Sequence, residues 1–352
     1  MKPSLLALTL AELQALLPRQ PRFRAAQLWD WLHRSRADDF AAMKNLPASL
    51  RQTLSDGFVV RELREAEHLT AADKLTEKWL YFSGDAAIET ALIREIRGRR
   101  RTLCVSCMCG CPVGCAFCAT GQGGFTRPLT AAEIVEQVYR ADRHCVEADG
   151  AGLSNVVFMG MGEPLLNYDA VVAAAGIVSS PDGLNLGNRQ ITVSTVGIPA
   201  GILRLAREQP AYRLAFSLHA PTQALREQLI PLARQYPLTA VLPALEIFAN
   251  ATSRRLTIEY CLIAGVNDDL AQARQLNALL RPLPAQINLI PFNPIGGDAR
   301  RWRPPAAAQI RAFQDALKFP ATLRAEKGRD INAACGQLRA RTIENEELKI
   351  KN

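Results

Sequence analysis

Residues 104–118 read Cys-Val-Ser-Cys-Met-Cys-Gly-Cys-Pro-Val-Gly-Cys-Ala-Phe-Cys, which puts six of the chain's nine cysteines within one short run. A secreted disulfide framework would spread an even set along the sequence, so the run indicates a metal or redox centre in a reducing compartment. Cys111, Cys115 and Cys118 have the spacing CxxxCxxC. The other CxxC pair, Cys104 and Cys107, would need a further cysteine at position 100, which is Arg100. Three thiolates on one loop can hold three irons of a 4Fe–4S cube and leave the fourth iron open. The competing arrangement is a zinc ribbon made by Cys104/Cys107 and Cys115/Cys118. Such pairs are usually separated by roughly a dozen or more residues. Here only seven intervene, and none of the four histidines is near the run in sequence.

Outward from the run, short apolar strands alternate with helical stretches. NVVF (155–158) leads to MGMGEP, QITV (190–193) to STVG, YRLAF (212–216) to SLHAP, LTIEY (256–260) to CLIAGVND, and INLI (287–290) to PFNP. Helical periodicity occupies 131–143, 198–207, 238–250, 268–281 and 305–317. This alternation predicts parallel βαβ units. A small or polar motif follows nearly every strand, where a barrel carries its active site. With one strand before the cysteines, about six strands are expected. The expected fold is α/β, a partial (β/α)6 barrel with a small N-terminal helical accessory domain.

Upstream, helices are expected over 10–17, over 24–35 in FRAAQLWDWLHR, and after Asn45-Leu46-Pro47, whereas KWLYF (78–82) and AIETALI (87–93) look strand-like. The expected organisation is therefore a helical docking domain (1–57), a strand-rich connecting segment (58–99) and a core (100–345). The N-terminal leucines recur at helical spacing around Glu12 with no cleavage site, which fits an amphipathic helix rather than a signal peptide. No stretch reads as a membrane span, and a cytoplasmic location is expected. Lys and Arg total 42 against 34 Asp and Glu, a net charge of +8. Arg94, Arg97, Arg99, Arg100 and Arg101 form one cluster. Arg19, Arg22, Arg24, Arg34 and Arg36 form another, interleaved with Phe23, Trp29 and Trp31. Such clusters suit a phosphate backbone with bases stacked on aromatics, although a solvated face reads the same way.

The triplet spacing, with Phe117 before the last cysteine, resembles the radical S-adenosylmethionine (SAM) superfamily. The stretches CGCPVGCAFCATGQGGFTR, FMGMGEPLLNYD, ITVSTVGI, SLHAP, IEYCLIAGVND, INLIPFNP and AACGQL resemble, in order, motifs of the RlmN/Cfr family of RNA adenine methyltransferases. FRAAQLWDWLHR and the later MKNLP are similar to that family's helical accessory domain, so the resemblance covers nearly the whole chain.

The resemblance implies methylation of carbon 2 of an adenine in RNA, with 23S rRNA alone or 23S rRNA and tRNA as the substrate. That carbon lies between two ring nitrogens and is not nucleophilic, so direct methyl transfer from SAM cannot work there. The family's route implies that Cys335 accepts a methyl group from one SAM and that a second SAM supplies the radical. It implies that Cys104 resolves the protein–RNA bridge, leaving a disulfide, and that Glu89 accepts the proton. Cys111, Cys115 and Cys118 match the cluster ligands. Gly162, Glu163, Ser194, Ser217, Leu218, His219 and Asn293 match the SAM-binding positions. A one-electron reductant such as flavodoxin or ferredoxin is implied too. Read alone, Cys335 would be a small buried hydrophobe and Glu89 an exposed strand carboxylate.

The chain departs from the family pattern at Ser106-Cys107-Met108-Cys109, where Ser-Ser-Gln-Val is usual. It departs again at Arg329 and Asn332, where acids are usual near Cys335. Two alternatives remain: carbon-8 methylation, as in the Cfr branch, and a zinc-stabilised RNA-binding protein without catalysis. MGMGEPLLNYD and INLIPFNP look closer to the carbon-2 branch.

Overall fold

A computed structural model describes residues 2–95, 100–208, 211–295, 302–324 and 327–339. The chain opens with α1 (Leu10–Leu16), started by a capping box between Thr9 and Glu12. It continues through α2 (Arg22–Trp29), which passes into a π turn over Asp30–Arg34. Pro21 and Pro47 stand immediately before α2 and α3 (Ala48–Gly57), where the missing N–H costs nothing. Leu13, Leu28, Leu32, Leu50 and Leu54 bury the inner faces of these helices in the main core.

Three antiparallel strands follow: β1 (Arg64–Thr70), β2 (Thr76–Ser83) and β3 (Ala86–Arg94). β3 pairs antiparallel with β4 (Arg101–Cys104), the strand that leads into the cysteine run. The strand-rich segment is thus continuous with the main sheet. All eight residues of β2 are buried, so both of its faces are covered.

β4 begins a parallel series. Its neighbours, in spatial order, are β7 (Asn155–Phe158), β8 (Ile191–Thr195), β9 (Arg213–Ser217), β10 (Leu256–Leu262), β11 (Ala285–Pro291) and the short β12 (Ala321–Leu323). The two remaining strands, β5 (Met108–Gly110) and β6 (Phe125–Pro128), form a hairpin that brackets the cysteine loop and the single turn α4 (Ala119–Gln122). Gly110 has φ +77°, and a Cβ there would lie 2.1 Å from the Gly124 carbonyl oxygen, so only glycine closes this hairpin.

The crossover helices are α5 (Ala131–Asp149), α6 (Tyr168–Ser179), α7 (Pro199–Glu208), α8 (Gln223–Leu229), α9 (Leu238–Thr252), α10 (Leu270–Leu280) and α11 (Ala307–Asp315). Six helix-linked parallel strands with an open edge form the expected partial barrel, and β12 extends it. α6 lay in a stretch with no helical expectation, because Ala and Val surround its whole circumference and leave no polar stripe. No helix among the described residues is long and apolar enough to cross a membrane.

Candidate active site

The carboxyl ends of the parallel strands deliver the post-strand motifs to one rim. A cleft open to solvent is lined there by Cys111, Cys115, Cys118, Gly162, Glu163, Ser194, Ser217, His219, Asn293 and Cys335. The fold therefore brings together, from five separate segments, all but one of the expected cluster and SAM positions. Leu218 is the exception. It is fully buried and acts through its backbone, donating its N–H to the Glu259 carbonyl at 3.1 Å.

The polar groups of the cleft are held by backbone. The Glu163 carboxylate accepts from the N–H of Val196 (2.8 Å) and of Leu165 (3.1 Å), tying the β7 loop to the β8 loop. Burial outweighs these bonds and pushes its pKa up to about 7. Gly162 has φ +108°, and an added Cβ would fall 2.7 Å from the Met108 side chain and 2.8 Å from Cys107 Sγ. His219 accepts the Cys261 N–H on Nδ1 at 2.9 Å, so the neutral ring carries its hydrogen on Nε2. Burial, with a smaller effect of Arg226, lowers its pKa to about 3. Phe117 lies against this ring with centroids 4.6 Å apart. A histidine remote from the cysteines in sequence is thus their neighbour in space.

Cys335 is half-buried, and the Asn293 side-chain amide donates to its carbonyl at 3.0 Å. A smaller cavity behind the cleft is lined by Cys104, Cys118, Arg324 and Cys335. The two cysteines assigned successive roles therefore share one compartment, and both are free thiols in the structure. Burial, reinforced by Cys335, pushes the Cys104 thiol up to about 12. Glu89 is not an exposed strand carboxylate. It is buried, paired with Lys78 at 2.8 Å, and accepts the Arg339 N–H at 2.6 Å. It stands on β3, next to the strand that carries Cys104, but lines neither cavity.

Sequence reasoning assigned no role to three residues here. Arg226, fully buried, donates to the carbonyls of Val196, Ser217 and Leu218 and clamps the β8 and β9 loops together. Glu259 and Arg324 face the same compartments as Cys335. Nothing in their local pattern marks them, since a charged residue within a strand or after one reads as surface.

The donor set fits a cluster bound to SAM. Burial raises the thiols of Cys111 (to about 12), Cys115 and Cys118, so a metal that binds them displaces their protons. Asn293 Oδ1 and Glu259 Oε2 are buried with no hydrogen-bond partner among the described residues, on side chains that line the cleft, and can accept from a ligand's hydroxyl or amine. Among the described residues, the group of His, Cys, Asp and Glu side chains whose ligand atoms all lie within 4.8 Å of one another is His68, Glu77 and His144, on β1, β2 and α5. The four thiols of the zinc alternative do not gather to the spacing that Zn–S bonds of about 2.3 Å impose.

Among the described arginines of the two clusters, Arg19, Arg22, Arg34 and Arg100 are exposed, and Arg24, Arg36, Arg94 and Arg101 are partly buried. Arg97 and Arg99 lie outside the described residues. Arg94 pairs with Glu77 and with Asp149 (2.8 Å), and Arg101 Nε donates to the Gly152 carbonyl at 2.6 Å. Arg34 pairs with Asp182 at 2.8 Å, Arg36 pairs with Asp142, and Trp29 is buried. Arg19, Arg22 and Phe23 remain exposed.

Residues 105–276 match the radical SAM superfamily, and residues 4–60 match the ribosomal RNA large subunit methyltransferase N-terminal domain. The probable dual-specificity RNA methyltransferase RlmN of Moorella thermoacetica is 47% identical, over 95% of this chain and 96% of that protein. The dual-specificity RNA methyltransferase RlmN of Nautilia profundicola is 43% identical, over 92% of this chain and 94% of its own length. The crystal structure of a radical SAM methyltransferase from Sphaerobacter thermophilus superposes with a TM-score of 0.92 at 45% identity, covering 96% of this chain and all of that one.

Proposed function

The chain belongs to the RlmN-type family of radical SAM RNA methyltransferases, and from that premise we propose that it methylates carbon 2 of an adenine in 23S rRNA and tRNA through a methyl group carried on Cys335. The observation that carries this reading is the position of Cys335. It lines both the cleft of the three-cysteine loop and the smaller cavity of Cys104.

When bound on Cys111, Cys115 and Cys118, a 4Fe–4S cluster with SAM supplies one-electron chemistry that a protein side chain cannot. Glu163, Ser194, Ser217, His219 and Asn293 then position SAM, with Gly162 allowing close backbone approach. Cys335 receives a methyl group on its sulfur from one SAM and presents that carbon to the base after a second SAM is consumed. Glu89 takes the proton from the modified ring carbon once the Arg339 N–H that it accepts gives way to RNA. Cys104 closes on the Cys335 sulfur and releases the RNA, leaving a disulfide that must be reduced before the next cycle. A flavodoxin- or ferredoxin-class protein supplies the electrons, and a reducing cytoplasm suits nine free thiols.

Two variants test this assignment. Cys335→Ala should make no methyladenosine. Cys104→Ala should accumulate RNA joined to Cys335, visible as a ribonuclease-sensitive band on denaturing gels. Nucleoside mass spectrometry should give 2-methyladenosine. If the product is 8-methyladenosine, the regiochemistry is wrong. If Cys104→Ala turns over normally without an adduct, the two-cysteine route is wrong.

A further inference from the structure

Three side chains converge against α5, outside both cavities. His68 stands on β1 opposite Trp79 of β2, and Glu77 lies two residues back on the same face of β2. His144 reaches them from α5. Both Nε2 atoms meet one carboxylate oxygen: Glu77 Oε2 is 2.6 Å from His68 and 2.8 Å from His144. The buried indole of Trp79 holds both rings, stacking on His68 with centroids 4.5 Å apart and taking His144 edge-on at 5.3 Å. Arg94 donates to the other oxygen, Glu77 Oε1, and also pairs with Asp149 at 2.8 Å. Burial would raise the Glu77 carboxyl, but the bonds from Arg94 and His144 outweigh it and hold it below its usual range. The imidazoles are 31% and 32% exposed, so solvent reaches the cluster. None of the three residues lines the cleft or the cavity behind it.

We infer that His68, Glu77 and His144 bind a single divalent cation of the zinc class, with water in the fourth position. Two imidazoles and a carboxylate are ligand types that zinc takes at about 2.0–2.2 Å, whereas a hard cation such as Mg2+ wants oxygen throughout. At tetrahedral angles such bonds set the ligand atoms about 3.4 Å apart. The two N–O separations must therefore open by about 0.7 Å, which partly exposed rings can do by sliding on Trp79. Each ring moves its hydrogen from Nε2 to Nδ1, so the nitrogen facing Glu77 offers its lone pair. With neutral rings and an ionised Glu77, no net proton leaves. Arg94 bonds the carboxylate as outer partners do in metal sites, fixing its orientation through the oxygen that does not bind the cation. The cation ties β1, the end strand of the ten-stranded sheet, to α5.

The test uses the full chain with its iron–sulfur cluster reconstituted, so that the cluster cysteines are already occupied. Zn2+ is added in slight excess, the protein is desalted, and zinc and iron are counted by plasma mass spectrometry. The unsubstituted chain should retain about one zinc more than the double variant His68→Gln, His144→Gln, by the stoichiometry of one site. Equal zinc in the two places the metal on thiolates and overturns the inference. A second measurement needs no variant. Diethyl pyrocarbonate modifies free imidazoles, and each histidine is followed by peptide mass spectrometry. Zn2+ at about 90% occupancy should slow modification of His68 and His144 about tenfold. The buried His33 and His219 should be unaffected, and Mg2+ should protect neither His68 nor His144. Unchanged modification with Zn2+ overturns the inference, and so does equal protection by Mg2+. If the double variant does not fold, this protection experiment on the unsubstituted chain decides.

Discussion

Acidification from pH 7.5 to 5 should loosen the N-terminal helices through His33. This side chain is fully buried between Trp29, whose ring centroid is 3.9 Å away, and Tyr139 of α5, whose hydroxyl lies 2.6 Å from Nδ1. Among the described residues its Nε2 has no hydrogen-bond partner, so a second ring proton would be buried unsatisfied. Burial, with a smaller push from Arg61, lowers its pKa from 6.5 to about 3. Between those values the unfolded chain binds a proton that the folded chain refuses. The stability contributed by the neutral ring is therefore complete above pH 6.5 and lost as the pH falls below it. At pH 5 the loss is about 1.5 pH units at 1.36 kcal/mol each, or about 2 kcal/mol. His33→Asn keeps a polar group near the Tyr139 hydroxyl but does not titrate. The variant is less stable at pH 7.5 through lost packing, and its deficit should shrink by about 2 kcal/mol at pH 5. Carboxylates titrate in both proteins and cancel in the difference. Urea unfolding followed by tryptophan fluorescence measures it. A deficit that changes by less than about 0.5 kcal/mol across this range would refute the assignment of a neutral, unsatisfied ring.

Two further outcomes concern the cleft. Anaerobically reconstituted protein should hold about four irons and four sulfides, by the stoichiometry of the cube. Alanine at Cys111, Cys115 or Cys118 should abolish both loading and SAM cleavage, and full loading with all three replaced would end the cluster assignment. Gly162→Ala puts a methyl group into Met108 and Cys107 Sγ at a backbone angle of +108°. It should cost about 1–3 kcal/mol of strain and weaken SAM binding to the reconstituted protein in calorimetry. Undiminished SAM affinity would show that the glycine serves only packing.

Five of the strand-and-motif pairs were legible because each couples a short apolar run to a small or polar turn motif, a signal confined to a few neighbouring residues. Helix starts were less legible. α2 begins two residues before the expected position because Pro21 sets its entry, an effect outside the apolar periodicity. The ion pairs of Arg94 and Arg34 were not legible for a related reason. Their carboxylate partners, Glu77, Asp149 and Asp182, are up to 148 residues away in sequence, and composition cannot show a pairing across that distance.

The sequence by itself determined the alternation that makes a parallel sheet, the unique CxxxCxxC triplet and the polar motif at each strand end. All of these depend on local spacing and on the rule that such sheets act at their carboxyl rim. Only the tertiary structure decided that Cys104 and Cys335, from opposite ends of the core, share one cavity. It likewise decided that Glu89 lies buried against Lys78 and that Arg324 points its charge at a sulfur eleven residues away. Those facts come from strand order and crossover, which bring distant segments to one rim and fix which charge meets which acceptor once water is excluded.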